Sequence, residues 1–223
     1  MIREDYLIGW IKRYLHWLAE IAGLIRTADY AAAARRSDLA LRELLGLGAD
    51  SVVSLTDGEL LARLAVDEPP PVVRDKALLL AALLTTLGRI AAAQNDPARA
   101  RDCWLKALQV CLGVSLSGGG DWPEFAPAPQ TLLDLLGPTD LPPRTEAALL
   151  LYHEHRGEFA RAEDALFRFL DATGNAPDAL EIGRAFYHRL RGLSEEALSL
   201  GGLSRAEIEE GLAALQRRHA AGS

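Results

Sequence analysis

The sequence predicts an all-α protein, an irregular array of antiparallel helical hairpins with a C-terminal helical cap, and three observations carry that reading. Hydrophobic residues make up 49% of the chain and are mostly Leu and Ala, with few of the β-branched types that strands favour. Between Leu84 and Ala107 the residues Leu84, Leu87, Gly88 and Ala91, then Ala100, Trp104 and Ala107, place small and large apolar groups for two helices in close contact. Parts of that pattern recur at Tyr30, Ala33 and Ala40, and again at Gly157, Phe159, Ala162 and Leu166. Three hairpins result, over about 5–46, 72–112 and 144–171, followed by a cap over 177–219, and we read residues 1–223 as a single helical domain.

The first helix is expected from about Asp5 to Arg26. Its apolar residues, from Tyr6 to Ile25, fill about half of a helical wheel, wider than the stripe of an ordinary surface helix. A tight connection at Thr27-Ala28-Asp29 leads to a second helix from Tyr30 to Leu45, stopped by Gly46 and Gly48. Residues 47–57 read as a loop, after which Thr56 or Asp57 caps a short helix to Val66. Pro69-Pro70-Pro71 makes a stiff break. Helices over Val72–Gln94 and Pro97–Leu112 form the central hairpin, with Pro97 at a first helical position where its missing N–H costs nothing.

Residues 113–130, rich in Gly, Pro and Ser, show no periodicity and read as a loop, mobile at Ser117-Gly118-Gly119-Gly120. A short helix, Thr131–Leu136, precedes a second Pro-punctuated turn. Arg144–Arg156 and Glu158–Leu170 form the third hairpin around Gly157. The cap follows as a helix over Pro177–Arg191, a short helix opened by Ser194, and a last helix begun by the capping box Ser204-Arg205-Ala206-Glu207.

The alanines Ala33, Ala100 and Ala162 are 67 and 62 residues apart, about twice the 34-residue period of the tetratricopeptide repeat. The central hairpin resembles that repeat's consensus, which implies a superhelical array with a groove for a protein or peptide. The first hairpin departs from it with Ile21 in place of the Gly and polar Glu20 and Ser37 at apolar positions. The third departs with Leu150, His153 and Phe169. The whole chain is also similar to an uncharacterised bacterial protein family. The residues that carry this are Arg3-Glu4-Asp5-Tyr6-Leu7, the run from Gly157 to Leu166, Phe186-Tyr187, and the run from Leu203 to Glu207. That resemblance brings no activity with it.

A net charge of −7 with no basic stripe argues against nucleic acid, whose phosphates require clustered positive charge. The longest apolar run, Ala77–Leu87, is too short for a bilayer span. Glu4, Asp5, Lys12 and Arg13 interrupt the region where a secretory signal would be apolar, so a cytoplasmic location is expected. Cys103 and Cys111 fall two turns apart on one helix, roughly 12 Å, too far for a disulfide, and read as free thiols.

His153-Glu154-His155 does not make a metal site, because residues two apart on a helix point in opposed directions. Gly118-Gly119-Gly120 lacks the Lys and Ser or Thr of a phosphate loop. No carboxylate pair and no nucleophile with a base is apparent, and no cofactor is expected. Candidate partner-binding residues remain. The inward side of the hairpins' first helices carries Thr85 and Arg89, then Glu154 and His155, and the loop carries Trp122 and Phe125. Tyr6, Trp10, Tyr14 and Trp17 gather in one quadrant of the first helix. Something covers them: another part of the chain, the same face of a second chain in a homodimer, or more weakly a membrane surface. The function expected is that of a non-enzymatic interaction or scaffold protein. The alternative is an enzyme or small-molecule sensor whose pocket is closed by the 113–130 loop.

Overall fold

A computed structural model describes the backbone of residues 2–118 and 121–221, and their side chains except at 2–8, 10, 11 and 221. The described residues form twelve helices and no strand. These are α1 (Ile2–Arg26), α2 (Tyr30–Leu45), α3 (Ala49–Ser54), α4 (Asp57–Leu64), α5 (Pro70–Ala93), α6 (Pro97–Ser117), α7 (Pro129–Leu136), α8 (Pro143–His155), α9 (Phe159–Ala172), α10 (Pro177–Arg191), α11 (Glu195–Leu200) and α12 (Arg205–Ala221). They pack in adjacent pairs, α1 with α2, α5 with α6 and α8 with α9, as an all-α array of helical hairpins. The chain groups into two compact units, Met1–Thr139 and Asp140–Ser223.

The three hairpin turns are one structure built from different residues. Ala28, Asn95 and Gly157 adopt positive φ of 58°, 60° and 71°. In each turn the next N–H reaches back five residues at 2.9 Å: Asp29 to the Leu24 carbonyl, Asp96 to Ala91, and Glu158 to His153. This left-handed closure satisfies the carbonyls that a helix end leaves without partners. Asp29 and Asp96 then cap the following helix, each accepting from a backbone N–H at 3.0 Å, that of Ala32 and that of Arg99. Glu158 does not cap; its carboxylate turns to His153 and Arg156.

In the first unit α5 is the central helix, packed against α1, α2, α4 and α6. Every residue from Ala77 to Thr85 is buried, so over that stretch the helix has no wet face. By length and composition this helix could cross a bilayer, but 72% of its most apolar window is buried inside the protein. Gly88 lies where α5 packs against α6. It leaves room for the Trp104 indole, whose Nε1 would lie 2.2 Å from a Cβ at position 88 and donates to the Thr85 carbonyl at 3.2 Å.

Two stretches read as loop are helical. Ala49–Ser54 forms α3 because Asp38, eleven residues upstream on α2, accepts the Ala49 N–H at 2.8 Å; a cap from so far away leaves no local signal. Gly113 does not end α6, which runs on to Ser117 with the Ser115 and Ser117 hydroxyls donating to the Cys111 and Gly113 carbonyls. The segment joining α6 to α7 is correspondingly shorter than the expected 113–130.

In the second unit α8 pairs with α9 and α10 with α12. Gly211 on α12 faces Tyr187 on α10, where a Cβ would stand 2.1 Å from the phenolic oxygen. The Tyr187 hydroxyl donates to Glu163 at 2.5 Å. This glycine and aromatic pair does for α10 and α12 what Gly88 and Trp104 do for α5 and α6.

Candidate functional site

The structure separates the residues singled out in the sequence. Thr85 is buried and its hydroxyl donates to the Ala81 carbonyl at 2.7 Å, whereas Arg89 is exposed. The expected groove side of the central hairpin is therefore closed at Thr85, because α5 is enclosed by its four neighbours. Tyr14 and Trp17 are buried within the chain, their rings 4.9 Å apart, with the Arg36 guanidinium 4.4 Å from the Trp17 ring centroid. Cover for these two comes from the chain itself; the side chains of Tyr6 and Trp10 lie outside the described residues. Trp122 and Phe125 are half-buried, and the Trp122 Nε1 is buried with no hydrogen-bond partner among the described residues. They are not freely exposed anchors.

Glu154 and His155 lie differently. Glu154 on α8 accepts a two-pronged bond from Arg189 on α10, at 2.6 and 2.8 Å, and His155 is exposed. The pair joins the first helices of two successive helix pairs. Leu151 stands about one turn before Glu154, and Ile182 two turns before Arg189, so each shares its helix face with a member of the pair. Both remain open to solvent, Leu151 at 42% and Ile182 at 41%. Neither residue nor Arg189 was singled out in the sequence, since the pairing of α8 with α10 spans 35 residues and leaves no periodic trace.

Inside the same unit Glu146 is only 2% exposed and accepts from Arg168 Nε at 3.0 and 3.1 Å. Burial pushes its carboxyl above the ordinary value and Arg168 opposes the shift in part. His153 Nδ1 lies 2.7 Å from Glu158 Oε2, and burial holds the ring below its ordinary pKa against the pull of that carboxylate. Each of these groups is held by its partner, Glu146 by Arg168 and His153 by Glu158.

The first unit contains a cleft of about 790 Å³ between α4, α5 and α6, among whose lining residues are Leu61, Ala65, Val73, Ala77 and Val114. The charges nearby are paired: Lys76 with Glu68 at 2.6 Å and Arg74 with Asp75 at 3.4 Å. Arg74 also donates to the Asp121 carbonyl. Burial raises the Asp75 carboxyl above its ordinary value. The cleft is built by three successive helices whose facing residues share no local pattern, and Gly113, read in the sequence as the start of a loop, stands in its wall.

Burial pushes the Cys103 thiol up to about 11 and Cys111 to about 12, which leaves both protonated and poor nucleophiles at neutral pH. Among the described residues no group of three His, Cys, Asp or Glu is placed to hold a metal ion. A protein-family model described as a family of unknown function (DUF6483) matches residues 1–220. No curated protein and no solved structure matches the chain.

Proposed function

The chain belongs to that family of unknown function, and since membership supplies no activity, we propose from its own surfaces that it is a non-enzymatic interaction protein that docks a protein or peptide. The observation that carries the reading is the surface joined by Glu154 and Arg189, where the exposed apolar Leu151 and Ile182 lie on the same faces as a bridged ion pair. Apolar contact framed by fixed charge is the usual make-up of a binding surface.

In this reading the hairpins are of the tetratricopeptide type. The shared left-handed turns, the buried Ala33, Ala100 and Ala162, and the fit of Gly88 to Trp104 support that assignment. The first helices of α8–α9 and α10–α12 would then form the docking side, which includes Glu154 and His155 as the sequence suggested. Work inside a bacterial cytoplasm fits the free, buried thiols.

The test is a pull-down with the full chain and with Leu151→Glu/Ile182→Glu. Loss of specific partners at an unchanged melting temperature is expected, because both side chains are exposed and contribute little to the core. A partner set identical to that of the wild type would refute this surface.

A further inference from the structure

We propose that the cleft between α4, α5 and α6 is a binding site for an uncharged, mainly hydrocarbon small molecule. Its volume of about 790 Å³ falls in the range of small-molecule sites, about 300–1,000 Å³. The inference is independent of the docking surface on the second unit, since every residue used here belongs to Met1–Thr139.

The class of ligand follows from what the walls offer. Leu61, Ala65, Val73, Ala77 and Val114 present methyl and methylene groups, and their removal from water contributes about 25 cal/mol per Å² of apolar surface. The charged residues at the cleft are committed to one another. Lys76 and Glu68 are 2.6 Å apart, with side chains only 16% and 24% exposed, and Arg74 is shared between Asp75 and the Asp121 carbonyl. An ionic head group would have to be stripped of water and would meet a wall whose positive and negative charges already cancel. A hydroxyl or amide has a much smaller desolvation cost, and Ser117 at the α6 end of the cleft, whose own O–H donates to the Gly113 carbonyl, can accept a hydrogen bond from it. Fatty alcohols and primary fatty amides meet these requirements; fatty acids and alkyl ammonium ions do not.

The geometry supplies clean variants. Ala62 and Ala65 line the cleft from α4 and its C-terminal end, and both are exposed, so a large side chain there fills the mouth without entering the core. The full-length protein is titrated with Nile red, an uncharged solvatochromic dye, and the bound dye is then competed with decanol and with decanoate. Saturable binding near one dye per chain is expected, with decanol displacing it at concentrations about tenfold or more below decanoate. Ala62→Trp and Ala65→Trp should each weaken the dye by about tenfold or more, whereas Leu200→Ser, at the 84% exposed Leu200 of the other unit, should leave it unchanged. Unsaturable binding, binding indifferent to both tryptophan variants in folded protein, or decanoate competing as well as decanol would overturn the proposal. Absence of dye binding, with a protein segment found cross-linked at position 62 instead, would assign the cleft to a macromolecule and refute it equally.

Discussion

His153 shows how one residue changes meaning when the chain folds. Two residues from His155 on a helix, it suggested a metal pair that the geometry of a helix forbids. Folded, it is a nearly covered ring whose Nδ1–H donates to the Glu158 carboxylate across the α8–α9 turn. Burial favours the neutral ring and lowers its pKa from the ordinary 6.5, with Glu158 opposing in part. The unfolded chain therefore takes up a proton before the folded chain does. The stability contributed by the neutral ring is fully present above pH 6.5 and is lost as pH falls through that value toward the folded pKa. Glu146, whose carboxyl is raised by burial, acts with the opposite sign nearer the carboxylate range: folding gains as that group protonates. Comparison with His153→Gln separates the two. Between about pH 7.5 and about pH 5.5, urea unfolding of the wild type should lose more stability than the variant does. Equal losses would show that the ring is not held neutral by burial.

At the scale of elements, the hairpins were legible because a turn flanked by apolar helices is written locally. Asn95-Asp96-Pro97 names its own left-handed residue, cap and first helical position, and the structure uses each in that role. The hairpin over Gly88 was legible too, but for a different physical reason than spacing alone suggests. What the missing Cβ admits is the flat face of Trp104, pinned by its bond to the Thr85 carbonyl. Gly88→Ala should therefore destabilise the protein by about 1–3 kcal/mol, because the indole cannot swing aside without losing that bond. Pairing it with Trp104→Leu should recover much of the loss in a double-mutant cycle measured by urea denaturation. Additive losses would mean that the ring is not what the glycine accommodates. What stayed hidden was set between elements: α3, capped by Asp38 from α2, the Gly211 and Tyr187 contact, and the cleft assembled from three helices. In each case the partners are separated by more residues than any helical period relates.

At the scale of the whole molecule, the sequence read as one run of hairpins, and the folded chain gathers into two compact units that meet in sequence at Thr139 and Asp140. The boundary falls in the turn flanked by Pro138 and by Pro142-Pro143, where a stiff backbone makes no helix. The second unit has its own core, with Leu150, Leu166, Phe186, Tyr187 and Leu215 almost wholly removed from water, and α8 to α12 supply both hairpin partners and the closing helix. Domains of this size bury roughly 60% of the surface their unfolded chains expose, enough for many to fold alone. A fragment of residues 140–223 should accordingly be helical by circular dichroism and unfold cooperatively in urea. Phe186→Ala in that fragment should cost about 3–5 kcal/mol, a large share of the stability of so small a unit, and should abolish the cooperative transition near room temperature. A fragment without a cooperative transition, in a full chain that melts in one step, would mean that the core around Phe186 cannot carry its own helices and that folding is a property of the entire chain.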